Sequence, residues 1–200
     1  MSTPNGSSDI SHVDVSRELC SVSDAVLQHV SEAVIQDAAM TLNSAKSIYV
    51  LGVGHSGLLS RILTMKLNHV GLKAYTVFDE ICPPFEQGSV LVAVSQSGET
   101  ATVTTLAEKA RQLGGTVIAL TGNSVSTIGR LATVLVQLPI STEDATSQVF
   151  SGLGDPENQN VRGAFFGHAL YSVIYSIILV LARLRDETPQ SIKKRHANLE

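Results

Sequence analysis

Short, nearly unbroken apolar runs alternate along this chain with longer stretches of helical period. Residues 47–53, 73–78, 90–94, 116–120 and 133–138 are β-branched and apolar on both alternating faces, the pattern of strands buried in a parallel sheet. Between them the period lengthens. Helices are predicted over residues 20–42, 58–70, 101–113 and 125–131, the first carrying an apolar stripe at Val26, Val30, Ala33, Val34 and Leu42. The Gly114-Gly115 pair stops the third of these helices, and Pro83-Pro84 keeps its surroundings out of any helix. Residues 141–160 are polar, contain Gly152, Gly154 and Pro156, and read as a loop. From Gly163 the chain carries no Asp, Glu, Lys or Arg until Arg183. That length approaches the ~20 residues of a membrane span. Gly167, His168, Ser172 and Ser176 interrupt it, so the reading is a buried helix on the sheet or in a subunit contact, with no membrane as partner. Thr188-Pro189 opens a last helix running to about residue 196. Residues 1–16, rich in Ser, Asn, Gly and Pro with no apolar signal region, read as a mobile tail, which leaves 17–200 as one domain.

Five strands alternating with helices predict an α/β fold, a three-layer doubly wound five-stranded parallel sheet in the flavodoxin-like order 2-1-3-4-5. In that order strands one and three are neighbours, and ligands bind beyond their C-terminal ends. The two most distinctive loops fall there. Gly52-Val-Gly-His-Ser-Gly57 follows strand one, and Ser95-Gln-Ser-Gly-Glu-Thr100 follows strand three. Glycine lets backbone approach a ligand closely, and a helix N-terminus presents unpaired N–H groups to an anion. The hydroxyls of Ser56, Ser95, Ser97 and Thr100 add donors. Two such loops in one small unit predict a phosphorylated small molecule.

Composition narrows the partner. Two hundred residues, 44% apolar, suffice for one core. A net charge of −4 with few aromatics and no Trp argues against nucleic acid, though backbone dipoles can hold one phosphate monoester without a basic surface. Cys20 and Cys82 suit reduced thiols in a cytoplasmic protein better than a disulfide framework or zinc site. Gly52 to Gly57 also satisfies the GxGxxG dinucleotide pattern, with Asp79 near the ribose position. Against a nicotinamide enzyme, the chain has no second half to hold a substrate, and the second loop suits a compact monoester. Neither loop carries the Gly-Lys-Ser/Thr ending of a nucleotide-triphosphate loop.

The two loops, with Met65-Lys-Leu-Asn-His-Val-Gly71 between them, resemble the sugar isomerase (SIS) domain, most closely its 6-phospho-3-hexuloisomerase branch. The resemblance runs from about residue 19 to the end, where Arg195-His-Ala-Asn-Leu-Glu200 is close to that branch's signature. It implies a phosphosugar isomerase working through an enediolate, 6-phospho-3-hexulose to fructose 6-phosphate, without metal or redox cofactor. It further implies a cytoplasmic homodimer or homotetramer with its pocket at the subunit interface. A phosphosugar-binding SIS protein without turnover is the alternative. By the same resemblance Gly54, His55, Ser56, Gly57, Ser95, Gln96, Ser97, Gly98, Glu99 and Thr100 bind substrate, and His69, Glu80 and His196 are catalytic candidates. The chain departs from that pattern at His55, Gln96 and Gly167, where the branch carries Arg, Gly and a glutamate proposed as catalytic; His168 is the candidate replacement. Moving a carbonyl requires a base and an oxyanion donor, the base contributing roughly 10²- to 10⁴-fold in rate. Glu99 also fits a helix N-terminus, and His69 a helix C-terminus, on dipole grounds alone.

Overall fold

The pleat of each strand sends alternate residues to opposite faces, and both faces here are apolar. In the computed structural model, which describes residues 11–140 and 159–199, β1 (Ile48–Leu51), β2 (Ala74–Thr76), β3 (Val90–Val94), β4 (Thr116–Thr121) and β5 (Val134–Gln137) form one parallel sheet. Its order is β2-β1-β3-β4-β5, as the alternation predicts. Tyr49 stands between Tyr75 and Leu91, and Ala93 between Leu51 and Ala119.

Seven helices cover the two faces among the described residues: α1 (His12–Leu27), α2 (Glu32–Ser44), α3 (Gly54–His69), α4 (Ala101–Gln112), α5 (Thr127–Leu131), α6 (Gln159–Leu184) and α7 (Pro189–Lys193). Ile48, Val50, Val92 and Ile118 face a core shared with α1, α2, α3 and α6. Tyr49, Leu51, Leu91 and Ala119 face a second core under α4 and α5. The result is three layers.

Helix α6 has the length and apolarity to cross a membrane. Its apolar side chains are used otherwise. Phe165, Leu170, Ile174 and Leu181 are fully or almost fully buried, and the helix packs against α1, α2 and α3.

Several boundaries differ from the sequence expectation. The helix expected over 20–42 is two helices, because Ser31 caps α2 by accepting from the Val34 amide (3.3 Å). The break is masked in the sequence because Val26, Val30 and Val34 keep a helical spacing across it. Helix α1 starts at His12, capped by Ser11, so residues 12–16 are helical rather than tail. Residues 1–10 and most of the expected loop, 141–158, lie outside the described residues. Helix α6 begins at Gln159, four residues before Gly163, and α3 takes the glycine loop itself as its first turn. Helix α7 ends at Lys193.

Leu170→Ala removes a side chain with no exposed surface, and is expected to cost about 2–5 kcal/mol. Urea unfolding checks this through the shift in midpoint at constant slope; a loss under about 1 kcal/mol, well below the cost of such a truncation in a packed core, would mean α6 is not a core element.

Candidate phosphate-binding cleft

The first loop is shaped by backbone contact. A methyl group on Gly52 would lie 2.6 Å from Ser60 Oγ and 2.8 Å from the Ser56 carbonyl oxygen, and one on Gly57 2.9 Å from the Gly52 carbonyl oxygen. Strand end and helix start therefore touch directly. Ser60 secures the turn by donating to the Ser56 carbonyl (2.8 Å). Val53 gives α3 no side-chain cap, and the first amides of a helix have no intrahelical partner.

The second loop is built around Ser95, which is buried. Its Oγ accepts from the Gly98 amide (3.1 Å) and shares a hydrogen bond with Thr100 Oγ1 (2.9 Å). Gly98 has φ +70°, and a Cβ there would lie 2.0 Å from Ser126 Oγ, so only glycine fits. The Gln96 carbonyl accepts from the Gly122 amide (2.9 Å) and Thr121 Oγ1 (3.3 Å), which ties the loop to the end of β4. The Glu99 carboxylate accepts from both the amide (2.8 Å) and hydroxyl (2.7 Å) of Thr127. Those bonds hold its carboxyl below the usual range. Glu99 thus serves the N-terminus of α5, not of its own helix α4. Helix α4 has no side-chain cap at Thr100, and Ser97 stands exposed beside it.

Both loops line one cleft of about 690 Å³ at the C-terminal ends of β1 and β3. His55, Ser56, Ser95, Ser97 and Thr100 reach it from the loops, and Arg162 from the first turn of α6. Gln96 and Glu99 also line it, whereas the expected Gly54, Gly57 and Gly98 do not, Gly57 and Gly98 instead setting the close turns of the two loops. Sequence reasoning missed Arg162 and Asn123, which also lines the cleft. A signal existed for the first: Arg162 is the only Lys or Arg between Arg130 and Arg183.

The expected catalytic residues do not gather here. Glu80 is exposed on the turn after β2, and His168 is exposed on α6; neither lines the cleft. Asp79, the residue of the dinucleotide reading, pairs with Arg61 (3.2 Å). His69 ends α3, 15 residues after its first, or about 22 Å along it at the helical rise. There its ring stacks on His196 at 3.9 Å and 19°. Arg195 donates to the His69 carbonyl (3.0 Å) and pairs with Glu187 (2.8 Å), and Arg185 donates to the Val70 (2.7 Å) and Gly71 (3.2 Å) carbonyls. The two arginines satisfy carbonyls that the end of α3 leaves open. Among the described residues no three His, Cys, Asp or Glu side chains gather as metal ligands.

The SIS domain family matches residues 41–153, more than half of the chain. The chain belongs to the SIS family. This SIS chain is 30% identical over 172 residues to the 3-hexulose-6-phosphate isomerase of Bacillus subtilis, covering 86% of this chain and 90% of the relative. A Methanococcus jannaschii crystal structure, said to infer a function of 3-hexulose-6-phosphate isomerase, matches it with TM-score 0.75 at 23% identity over 94% of this chain and 98% of that one. The Vibrio vulnificus NanR protein, complexed with ManNAc-6P, matches with TM-score 0.74 at 21% identity over 94% of this chain and 67% of that one. At those identities the two structures show a common fold.

Burial, then the neighbouring His196 and Lys66, lower the His69 pKa below its ordinary 6.5. Above that ordinary value the ring is neutral in both folded and unfolded chains. As pH falls below it, the unfolded chain takes up a proton that the folded chain resists, and stability drops. The melting temperature is expected to fall between about pH 7 and pH 5, and less steeply in His69→Gln. Equal slopes in the two proteins would exclude this origin.

Proposed function

We propose that this SIS chain is a sugar-phosphate isomerase interconverting 6-phospho-3-hexulose and fructose 6-phosphate. The observation that carries the reading is the convergence of both serine-glycine loops, with Arg162 opposite, in one cleft. A phosphate monoester there meets the open N-termini of α3 and α4, the hydroxyls of Ser56 and Ser97, and a guanidinium suited to phosphate geometry. The volume lies within the roughly 300–1,000 Å³ of small-molecule sites. The name of the Bacillus subtilis relative supplies the reaction.

The chemistry moves one proton between adjacent carbons. A base removes the C2 proton of the 3-ketose, an enediolate forms across C2 and C3, and the proton returns to C3. Charge developing on the enediolate oxygen calls for donors fixed in advance. The reading includes a cytoplasmic homo-oligomer with the pocket at a subunit contact, as the family resemblance implies; analytical ultracentrifugation tests the assembly, and a monomer at working concentration would remove that part.

Proton NMR of fructose 6-phosphate with the protein in D₂O tests the function. Loss of the C3 proton signal is expected. Loss at C1 would indicate aldose–ketose isomerisation instead, and line broadening without exchange would indicate a binding protein. Ser97→Ala deletes a donor to a charged ligand, and fructose 6-phosphate affinity by calorimetry is expected to fall roughly 10- to 100-fold. A change under twofold would take Ser97 out of the phosphate site.

A further inference from the structure

We propose that His55 carries the proton between C2 and C3, and that Gly163 and Gly167 form a notch in α6 that holds its ring over the cleft. The proposal rests on the isomerase reading above.

The ring of His55 lies against α6. A methyl group on Gly167 would stand 2.4 Å from Cε1 and 2.9 Å from Nε2, and one on Gly163 3.8 Å from Nδ1. Residues four apart share one helix face, so the two glycines open a single hollow. Any side chain at 167 would displace the ring. Glycine is a poor choice inside a helix on propensity grounds, and room for the imidazole is a reason to place it there. Phe165 and Phe166, on the other faces of the same turns, are buried in the core, which fixes the helix that carries the hollow.

The other titratable groups on the cleft wall are committed. Both Glu99 oxygens accept from Thr127. Arg162 is a permanent cation and cannot act as a base. His69, Glu80, His168 and His196 do not line the cleft. His55 is exposed on the wall itself, in the first turn of α3, beside the loop that holds the phosphate.

One imidazole can serve both carbons, since C2 and C3 are adjacent. A ring nitrogen takes the C2 proton, and the C2–H electron pair becomes the C2=C3 bond while the C3 carbonyl oxygen gains the negative charge. The O2 hydroxyl proton passes to O3. As the C2 carbonyl forms, the imidazolium returns its proton to C3. Neutral histidine accepts and protonated histidine donates, so the group is restored after each turnover.

The test measures C3 exchange of fructose 6-phosphate in D₂O and its dissociation constant by calorimetry. The proteins are the wild type, His55→Gln, Gly167→Ala and the double variant. His55→Gln is expected to lower exchange roughly 10²- to 10⁴-fold with affinity held within a few-fold. Gly167→Ala, which improves helix propensity, is expected to lower exchange at least about tenfold by displacing the ring, and to add nothing in the His55→Gln background. If the wild type exchanges C3 and His55→Gln does so within threefold, the role of His55 is overturned and the isomerase stands. Rate and affinity falling together in His55→Gln would make it a binding residue only, which also overturns the proposal. An unchanged rate in Gly167→Ala, or additive losses in the double variant, would overturn the notch. A wild type that binds without exchange overturns both the isomerase reading and this one.

Discussion

The pairing of β1 with β3 governs everything built above it. Ile48 to Leu51 run beside Val90 to Ala93 in parallel register, so the loops leaving both strands emerge about 4.8 Å apart at the sheet edge. In the chain β2 and α3 lie between the two strands. Right-handed crossovers send α3 to one face and α4 to the other. The helices therefore start from the same edge on opposite sides of the sheet, and both open their uncapped first turns there. Neither loop alone encloses a ligand. The ladder between their strands makes them one wall, and α6 supplies the opposite one with Arg162.

Local fields reconcile a net charge of −4 with the proposed anionic ligand. The first-turn amides of α3 and α4 act over a few ångströms, and Arg162 adds one full charge. Glu99 is the apparent contradiction, a carboxylate on the same wall. Its two bonds to Thr127 commit both oxygens to the start of α5, whose amide end offsets the charge. The second loop is consequently stiff: Ser95, Gly98, Gln96 and Glu99 are each tied to a different neighbour. Ser97 stands exposed at the mouth, its Oγ accepting from the Glu99 amide (3.2 Å) while its hydroxyl proton can turn toward a ligand.

Strand positions were legible because burial on both faces leaves a continuous apolar signal, and the order 2-1-3-4-5 followed from the alternation of elements. The loops were legible because glycine and serine cluster only where backbone must come close. Information carried by contacts between distant segments was hidden. The division of the first helix disappeared behind a valine spacing that runs through the break. Glu99 was read as a substrate contact or as a favourable charge at the start of its own helix, whereas both its oxygens accept from Thr127, 28 residues later. The family resemblance named His69 and His196 separately as catalytic candidates, and their rings stack on each other. The sequence already put His69 at the C-terminal end of its helix, and helix direction sets that end away from the cleft, which opens at the N-terminal end.

The contact between His55 and Gly167 joins two elements far apart in the chain, and it links two positions at which the chain departs from the family resemblance. Each departure alone looks like a loss: a permanent cation replaced by imidazole, a carboxylate replaced by a hydrogen atom. Sterically they are one change. With His55 seated as it is, even a methyl at 167 overlaps Cε1, so a glutamate there would force the ring out of the cleft wall. The converse also holds. Without the imidazole the hollow at Gly163 and Gly167 would be an open groove in a helix whose neighbouring positions, Phe165, Phe166 and Leu170, are packed shut. Losing a carboxylate from this wall does not leave it without a titratable group, because the ring that fills the vacated space is itself one.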